Sequence, residues 1–290
     1  MTEAEAPVAF DRVCILGVGL LGASLGLALK ARHVTKKVIG VGRRRESLDV
    51  ARSMGAIDTL SLEPAEAVGE ADLVVLATPA ALVIPMLDAI RPQLKPEALV
   101  TDVASTKAEI CHHAQATWSS PRRFVGSHPM AGSEKFGPEH ATVDFYEGSV
   151  CLVEEGEDVD VEARKQVVAL WEAVGARVVS VTPEAHDAML AMTSHIPHVY
   201  AALLAQGAAE AGEVRALIGN GFRDTTRIAA ARPEIWRDIC MTNRKAILTG
   251  LDALKERLTD FEAALCAGDG EAIEAFFAAG NTARKKALGE

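Results

Sequence analysis

Short β-branched or apolar runs at residues 13–16, 38–41, 73–77, 99–102, 124–125, 150–153 and 178–181 recur through the first 180 residues and then stop. Between several of them lie helical patterns, at residues 47–54, 80–90, 107–118 and 161–174. Such alternation implies a largely parallel sheet with helices on both faces. From residue 184 onward only Ala- and Leu-rich helical periodicity remains, broken at Gly212, at 219–221, at Arg232-Pro233 and at 267–270. The expected class is α/β, a doubly wound sheet followed by an all-α part, with a boundary close to Thr182 and domains over residues 1–182 and 183–290. The helical part reads either as an independent bundle or as a surface that pairs with a second copy. Amphipathic stretches at 246–261 and 271–287 suit both, and a homodimer through this part is the expectation.

The first apolar run enters Gly17-Val-Gly19-Leu20-Leu21-Gly22 and continues as a helix. A strand, a G-x-G-x-x-G turn and a helix at the start of an alternating half form a dinucleotide site of the Rossmann type. Gly17 permits the tight turn, Gly19 lets the backbone approach a pyrophosphate, and Gly22 allows close helix–sheet packing. The phosphates rest on the helix N-terminus, whose free N–H groups and dipole favour anions. A glycine-bearing helix packed tightly on a sheet would leave the same trace. At the end of the second strand an NAD site usually carries an acid for the ribose hydroxyls. Here Val41 runs on into Gly42-Arg43-Arg44-Arg45. A guanidinium grips a 2′-phosphate that a carboxylate would repel, so the reading is NADP in preference to NAD. The bland alternative is a solvated turn with Glu46 pairing one of the arginines. Thr78 and Pro79, after the third run, are expected to line the cofactor cleft.

Composition excludes more than it selects. A chain of 290 residues, 49% hydrophobic, can bury a full core. A formal charge of −10 argues against nucleic acid or an anionic membrane, which call for a basic surface. Cys14, Cys111, Cys151, Cys240 and Cys266 are scattered and never spaced as C-x-x-C, which reads as reduced thiols and not as a disulfide frame or a metal site. The acidic N-terminus lacks the plan of a signal peptide, and the apolar stretch at 13–29 is interrupted by glycines, so the expected location is the cytoplasm.

Between Gly126 and Gly137 the chain reads Gly-Ser-His-Pro-Met-Ala-Gly-Ser-Glu-Lys-Phe-Gly, which has the character of an active-site loop around His128. Three further segments carry chemistry: Asp102-Val-Ala-Ser105-Thr-Lys107, Thr193-Ser-His195-Ile-Pro-His198 and Gly221-Phe-Arg223-Asp224-Thr-Thr-Arg227. With the glycine turn, these segments resemble the prephenate and arogenate dehydrogenase family of tyrosine biosynthesis, over residues 13 to about 245. The resemblance implies oxidative decarboxylation of a cyclohexadienol, with hydride leaving the carbinol carbon for NADP or NAD while a ring carboxylate departs as carbon dioxide. His128 then stands for the histidine that takes the hydroxyl proton, and Ser105 for the serine that orients it and lies close to the nicotinamide; alone, Ser105 would be a helix cap. Arg227 stands for the arginine on a substrate carboxylate and His195 for the histidine on the substrate side chain, whereas His198 reads as structural. Glu134 and Asp224, with Ser133 beside them, stand for the gate over the pocket, and Trp236 for an aromatic at its mouth. A surface salt bridge and ordinary helix packing are the plain readings of these last residues. Lys107 pairs with Asp102 or approaches the cofactor.

Prephenate is the expected substrate and arogenate the alternative. Arogenate carries an ammonium that an acid would favour, and Glu154 and Glu155 are the nearest candidates. A β-hydroxyacid dehydrogenase would place a lysine on the first long helix past the boundary, yet none occurs from Gln166 to Arg244. A non-catalytic NADP sensor would have little use for His128, His195 and Arg227 together. Neither an N-terminal mutase fusion nor a C-terminal amino-acid-sensing domain is expected.

Overall fold

The computed structural model describes residues 10–132, 135–212 and 214–290. Its centre is a parallel sheet of β1 (Phe10–Leu16), β2 (Thr35–Val41), β3 (Thr59–Ser61), β4 (Leu73–Leu76), β5 (Leu99–Asp102) and β6 (Phe124–Val125), ordered β3-β2-β1-β4-β5-β6. Crossovers run through α1 (Leu20–Ala31), α2 (Arg45–Ser53), α3 (Pro64–Val68), α4 (Ala80–Ile90) and α5 (Ala108–Thr117).

Successive strand residues point to opposite faces, and both faces are covered. Val13, Ile15, Leu73 and Val75 pack with α1 side chains on one side; Cys14, Leu16, Val74 and Leu76 pack with α3, α4 and α5 side chains on the other. Strands buried on both faces carry continuous apolar runs, which is why they stand out in the sequence. The strand order reverses between β1 and β4, so the turn after β1 and the turn after β4 open a crevice at the carboxyl ends of the strands.

One large sheet was the expectation, and two are present. Gly126 carries the chain out of the parallel sheet into β7 (Ser127–Pro129), which pairs antiparallel with β8 (Val150–Glu154). After α6 (Val161–Ala173) the chain returns as β9 (Arg177–Val181), parallel to β8. His128 therefore stands on a strand opposite Leu152 and not on a loop. Pro129 is tolerated because β7 is an edge strand. Ser127 locks the strand to its neighbours: its N–H donates to Asp102 Oδ1 at 3.0 Å, its hydroxyl donates to Asp102 O at 2.5 Å, and it accepts from Trp171 Nε1 at 3.0 Å.

Thr182 caps α7 (Pro183–Leu190), its side chain accepting from the N–H of Ala185. A π-helical turn, Ala191–His195, leads into α8 (Ile196–Glu210). Then follow α9 (Asn220–Thr226), α10 (Pro233–Thr242), α11 (Arg244–Ala267) and α12 (Gly270–Leu288). Among the described residues no strand follows Val181. The stretch Pro183–Glu210 is long and apolar enough by composition to cross a membrane; it also carries His186, Asp187 and His195 into a buried polar network. The core of this part is small, centred on Ala191, Ile196 and Ile247, and α12 buries no residue at all.

Candidate active site

The turn after β1 needs its glycines for separate reasons. Gly17 has φ +100°, and a Cβ there would run into the carbonyl of Ala77 at the end of β4. A Cβ on Gly22 would strike the carbonyl of Gly17, so this glycine sets how closely α1 approaches the turn. A Cβ on Gly19 would meet nothing within 4 Å, so the backbone there borders open space. Gly19 also precedes α1, whose first turn has neither a side-chain cap nor an acid. Uncapped N–H groups facing open space suit a phosphate. Across the crevice the Thr78 hydroxyl is buried without a hydrogen-bond partner. A polar orphan of this kind is costly unless a ligand meets it, which fits a dinucleotide lying across this crevice.

Three cavities adjoin in line. The first, of ≈ 360 Å³, lies between the ends of β1 and β2 and is lined by Gly17, Gly19, Arg43, Arg44, Thr78 and Pro79. The second, of ≈ 350 Å³, shares Gly19, Thr78 and Pro79 with it and adds Leu20, Leu21 and Ser105. The third, of ≈ 560 Å³, shares Ser105 with the second and adds His128, His195, Arg227 and Trp236. Phe136 and Arg232 line all three, with the guanidinium 4.7 Å from the ring centroid. No sequence motif marks either residue as part of a site. Arg45 departs from expectation: as the first residue of α2 it points along the helix to Asp49, at 3.7 Å, and does not line the cleft.

His128 ends a chain of three groups from the two halves of the protein. Its Nδ1 lies 2.9 Å from His186 Nε2, and His186 Nδ1 lies 2.8 Å from Asp187 Oδ1. Burial would raise the Asp187 carboxyl, but hydrogen bonds from His186 and from the N–H groups of Lys107 (2.8 Å) and Ala108 (3.0 Å) outweigh it and hold it below the usual range. An ionised carboxylate only accepts, so His186 carries its proton on Nδ1 and presents a bare Nε2. His128 must then donate from Nδ1, which leaves the lone pair of its own Nε2 to the cavity it lines. Burial first, then the His186 ring, the Lys107 cation and His195, hold His128 well below the usual imidazole range, so it is neutral at pH 7. Lys107 is fully buried and pairs with Asp102 beneath this chain, which answers the question its sequence position left open.

Ser105 lies where the second and third cavities meet, but among the described hydrogen bonds none joins it to His128; His186 takes that role. Nor is Ser105 a helix cap. The cap of α5 comes from the other half of the chain, the Asp187 carboxylate receiving the N–H groups of Lys107 and Ala108. The signal for His186 and Asp187 was weak, an adjacent His-Asp pair on the first helix past the boundary.

His195 sits on the π-helical turn, a distortion that often marks function. It is buried, and burial drives it down to about 4, with His186 and His198 lowering it further against the pull of Asp187. Asn243, between α10 and α11, reaches its Nδ1 at 3.0 Å. Trp236 meets His195 edge-on at 6.1 Å and stacks on His198 at 3.6 Å, which gives His198 its packing role. Asp224 is exposed and lines none of the three cavities. Ser133 and Glu134 lie outside the described residues. Glu154 is displaced from the substrate cavity: its carboxylate is bound to Arg122 and to the N–H of Gly126 at 2.9 Å, and with Glu155 it borders a separate cavity of ≈ 540 Å³.

Known proteins resemble this chain in sequence and fold. Residues 25–180 match the nucleotide-binding domain of prephenate dehydrogenase, and residues 182–279 match its dimerization domain. The prephenate dehydrogenase of Bacillus subtilis is 35% identical over 83% of this chain and 67% of its own length. A crystal structure of prephenate dehydrogenase from A. aeolicus in complex with hydroxyphenyl propionate and NAD+ superposes with a TM-score of 0.89 at 28% identity, covering 97% of this chain and 99% of that one. Synechocystis arogenate dehydrogenase superposes with a TM-score of 0.83, also at 28% identity, over 95% and 99% of the two chains. The chain belongs to the prephenate dehydrogenase family, oxidoreductases that use a nicotinamide dinucleotide.

Proposed function

We propose that this protein is a prephenate dehydrogenase that prefers NADP, with its functional halves meeting near Thr182. The observation that carries the reading is the His128–His186–Asp187 chain, which delivers an unprotonated Nε2 into a cavity continuous with the glycine-turn crevice. Held by the turn at Gly17, Gly19 and Gly22 and by Thr78, the nicotinamide dinucleotide supplies the hydride acceptor.

The rest is the work of the chain's own groups. His128 Nε2 accepts the ring hydroxyl proton as hydride leaves the carbinol carbon and the C–C bond to the ring carboxylate breaks. The electron pair of that bond completes the aromatic ring as a phenolate, which takes the proton back from His128 Nε2, so that 4-hydroxyphenylpyruvate and carbon dioxide result and His128 is again neutral. As His128 becomes cationic, His186 accepts from its Nδ1 and passes the charge's influence to Asp187 without itself moving a proton. Ser105 lies between the hydride acceptor's side and the substrate's side. Arg227 and Arg232 supply cations for substrate carboxylates, and Trp236 walls the cavity. Among its described lining residues none is acidic, which favours the dianionic prephenate over the ammonium-bearing arogenate. Arg43 and Arg44 border the crevice where a 2′-phosphate would lie, which supports NADP. Exposed Leu258, Leu265, Phe276 and Phe277 on α11 and α12 support a homodimer through the helical half.

Steady-state assay of prephenate and arogenate, each with NAD and NADP, tests the reading. The expected result is the highest kcat/KM for prephenate with NADP. No reduction in any combination would overturn the activity; a much higher value with NAD would overturn the cofactor preference.

A further inference from the structure

His195 and Asn243 form a second buried hydrogen-bonded unit, on the helical side of the substrate cavity. Its proton positions follow from one carbonyl. Asn243 lies 2.8 Å from the backbone oxygen of Asp187. That oxygen only accepts, so the Asn243 atom facing it is the amide nitrogen, which fixes the orientation of the amide. The same nitrogen lies 3.0 Å from His195 Nδ1 and has a second hydrogen to give. His195 Nδ1 therefore accepts. Being neutral, the ring carries its hydrogen on Nε2, the nitrogen left to the cavity.

The two histidines of the cavity thus present opposite faces. His128 offers a lone pair, His195 an N–H, and Asp187 sets both, the first through its carboxylate and the second through its carbonyl. Ser105 is shared with the cofactor-side cavity, whereas His195, Arg227 and Trp236 line only the outer one. A substrate whose carbinol lies at His128 extends its side chain toward that outer group.

We propose that Asn243 is a specificity-determining positioning residue, holding His195 as an N–H donor so that the site selects a substrate side chain ending in a hydrogen-bond acceptor, a 2-oxo acid, over one carrying an ammonium. This deepens the prephenate reading and rests on it for the identity of the substrate. An ammonium has only hydrogens to present, so against His195 it makes a donor–donor contact beside two arginines.

Two measurements test the proposal, neither needing turnover. In full-length protein with 15N-labelled histidine and bound NADP+, long-range 1H–15N correlation reads the His195 tautomer, assigned by loss of the signal in His195→Gln. The expected ring has a bare Nδ1 and a protonated Nε2 at neutral pH; a protonated Nδ1 overturns the proposal. In parallel, the dissociation constants of 4-hydroxyphenylpyruvate and tyrosine are compared in the wild type and in Asn243→Asp. The variant carboxylate gives up the bond to the Asp187 carbonyl and accepts from His195 Nδ1, which reverses the ring. The expected preference for the oxo acid falls about tenfold, the value of one hydrogen bond. An unchanged ratio in a folded variant whose tautomer has reversed also overturns it. Should the wild type turn over neither substrate, the activity assignment fails while the tautomer and the binding ratio still decide this proposal.

Discussion

Replacing Asp187 by Asn changes one atom and, through two hydrogen bonds, reverses the base. Asp187 accepts from His186 Nδ1 at 2.8 Å and from the first N–H groups of α5 at 2.8 and 3.0 Å. Oδ1 takes both His186 and the N–H of Lys107, so an asparagine that turns its NH₂ toward His186 keeps its oxygen on the N–H of Ala108 alone and leaves that of Lys107 without an acceptor. His186 Nδ1 must then accept, its proton moves to Nε2, and that N–H donates to His128 Nδ1. His128 is left with hydrogen on the nitrogen that should receive the substrate proton. Tautomer reversal behind a catalytic histidine costs about 10⁴ in kcat in a serine protease triad. A loss of about 10³ to 10⁴, equivalent to about 4–5.5 kcal/mol of barrier, is the expectation here. Stability changes less, by about 1–3 kcal/mol, because the N–H of Ala108 keeps its cap while the buried N–H of Lys107 loses its acceptor. Asp187→Ala removes the cap and strands buried N–H groups as well, and should cost about 2–4 kcal/mol. The assay is appearance of reduced nicotinamide for kcat, with calorimetry for cofactor affinity and thermal unfolding for stability. Asp187→Asn with unchanged cofactor affinity and a kcat within about threefold of wild type would refute the proton assignment.

Three further outcomes follow from the same geometry. Arg43→Ala and Arg44→Ala should each raise KM for NADP about tenfold and leave KM for NAD unchanged, while Arg45→Ala, bound outward to Asp49, should alter neither. Phe276→Glu with Phe277→Glu should shift sedimentation from dimer toward monomer at micromolar concentration, since these exposed rings lie on a helix that buries nothing of its own. Below pH 6.5 stability should fall: His128, His186 and His195 resist protonation when folded, so the unfolded chain binds more protons. His195 contributes up to about 3 kcal/mol, present above pH 6.5 and lost as pH falls toward 4, and His195→Gln should flatten that part of a Tm-against-pH curve.

The strands of the parallel sheet were legible because burial on both faces leaves unbroken apolar runs, with Leu99–Asp102 and Phe124–Val125 read at their observed limits. β3 and α3 are too short to leave a period. Ser127–Pro129 looks like a loop because nothing local makes Ser-His-Pro a strand; pairing with β8, distant in sequence, does so. The glycine turn and His128 could be found since each is framed by residues that serve a local backbone need. His186, Asp187 and Asn243 could not, because their roles lie in contacts 58, 80 and 48 residues away in sequence. Arg45 shows the limit of adjacency: the start of α2 turns its side chain away from the cleft that Arg43 and Arg44 line. Glu154 shows the limit of proximity to a strand end, since Arg122 claims its carboxylate.

His128→Asn tests the central claim most directly. The account predicts that the dissociation constant for NADP+ stays within about twofold of wild type, because His128 does not line the crevice at the glycine turn, while kcat with prephenate falls at least about 10²-fold, the lower range for loss of a general base. Turnover retained at near wild-type kcat would contradict it.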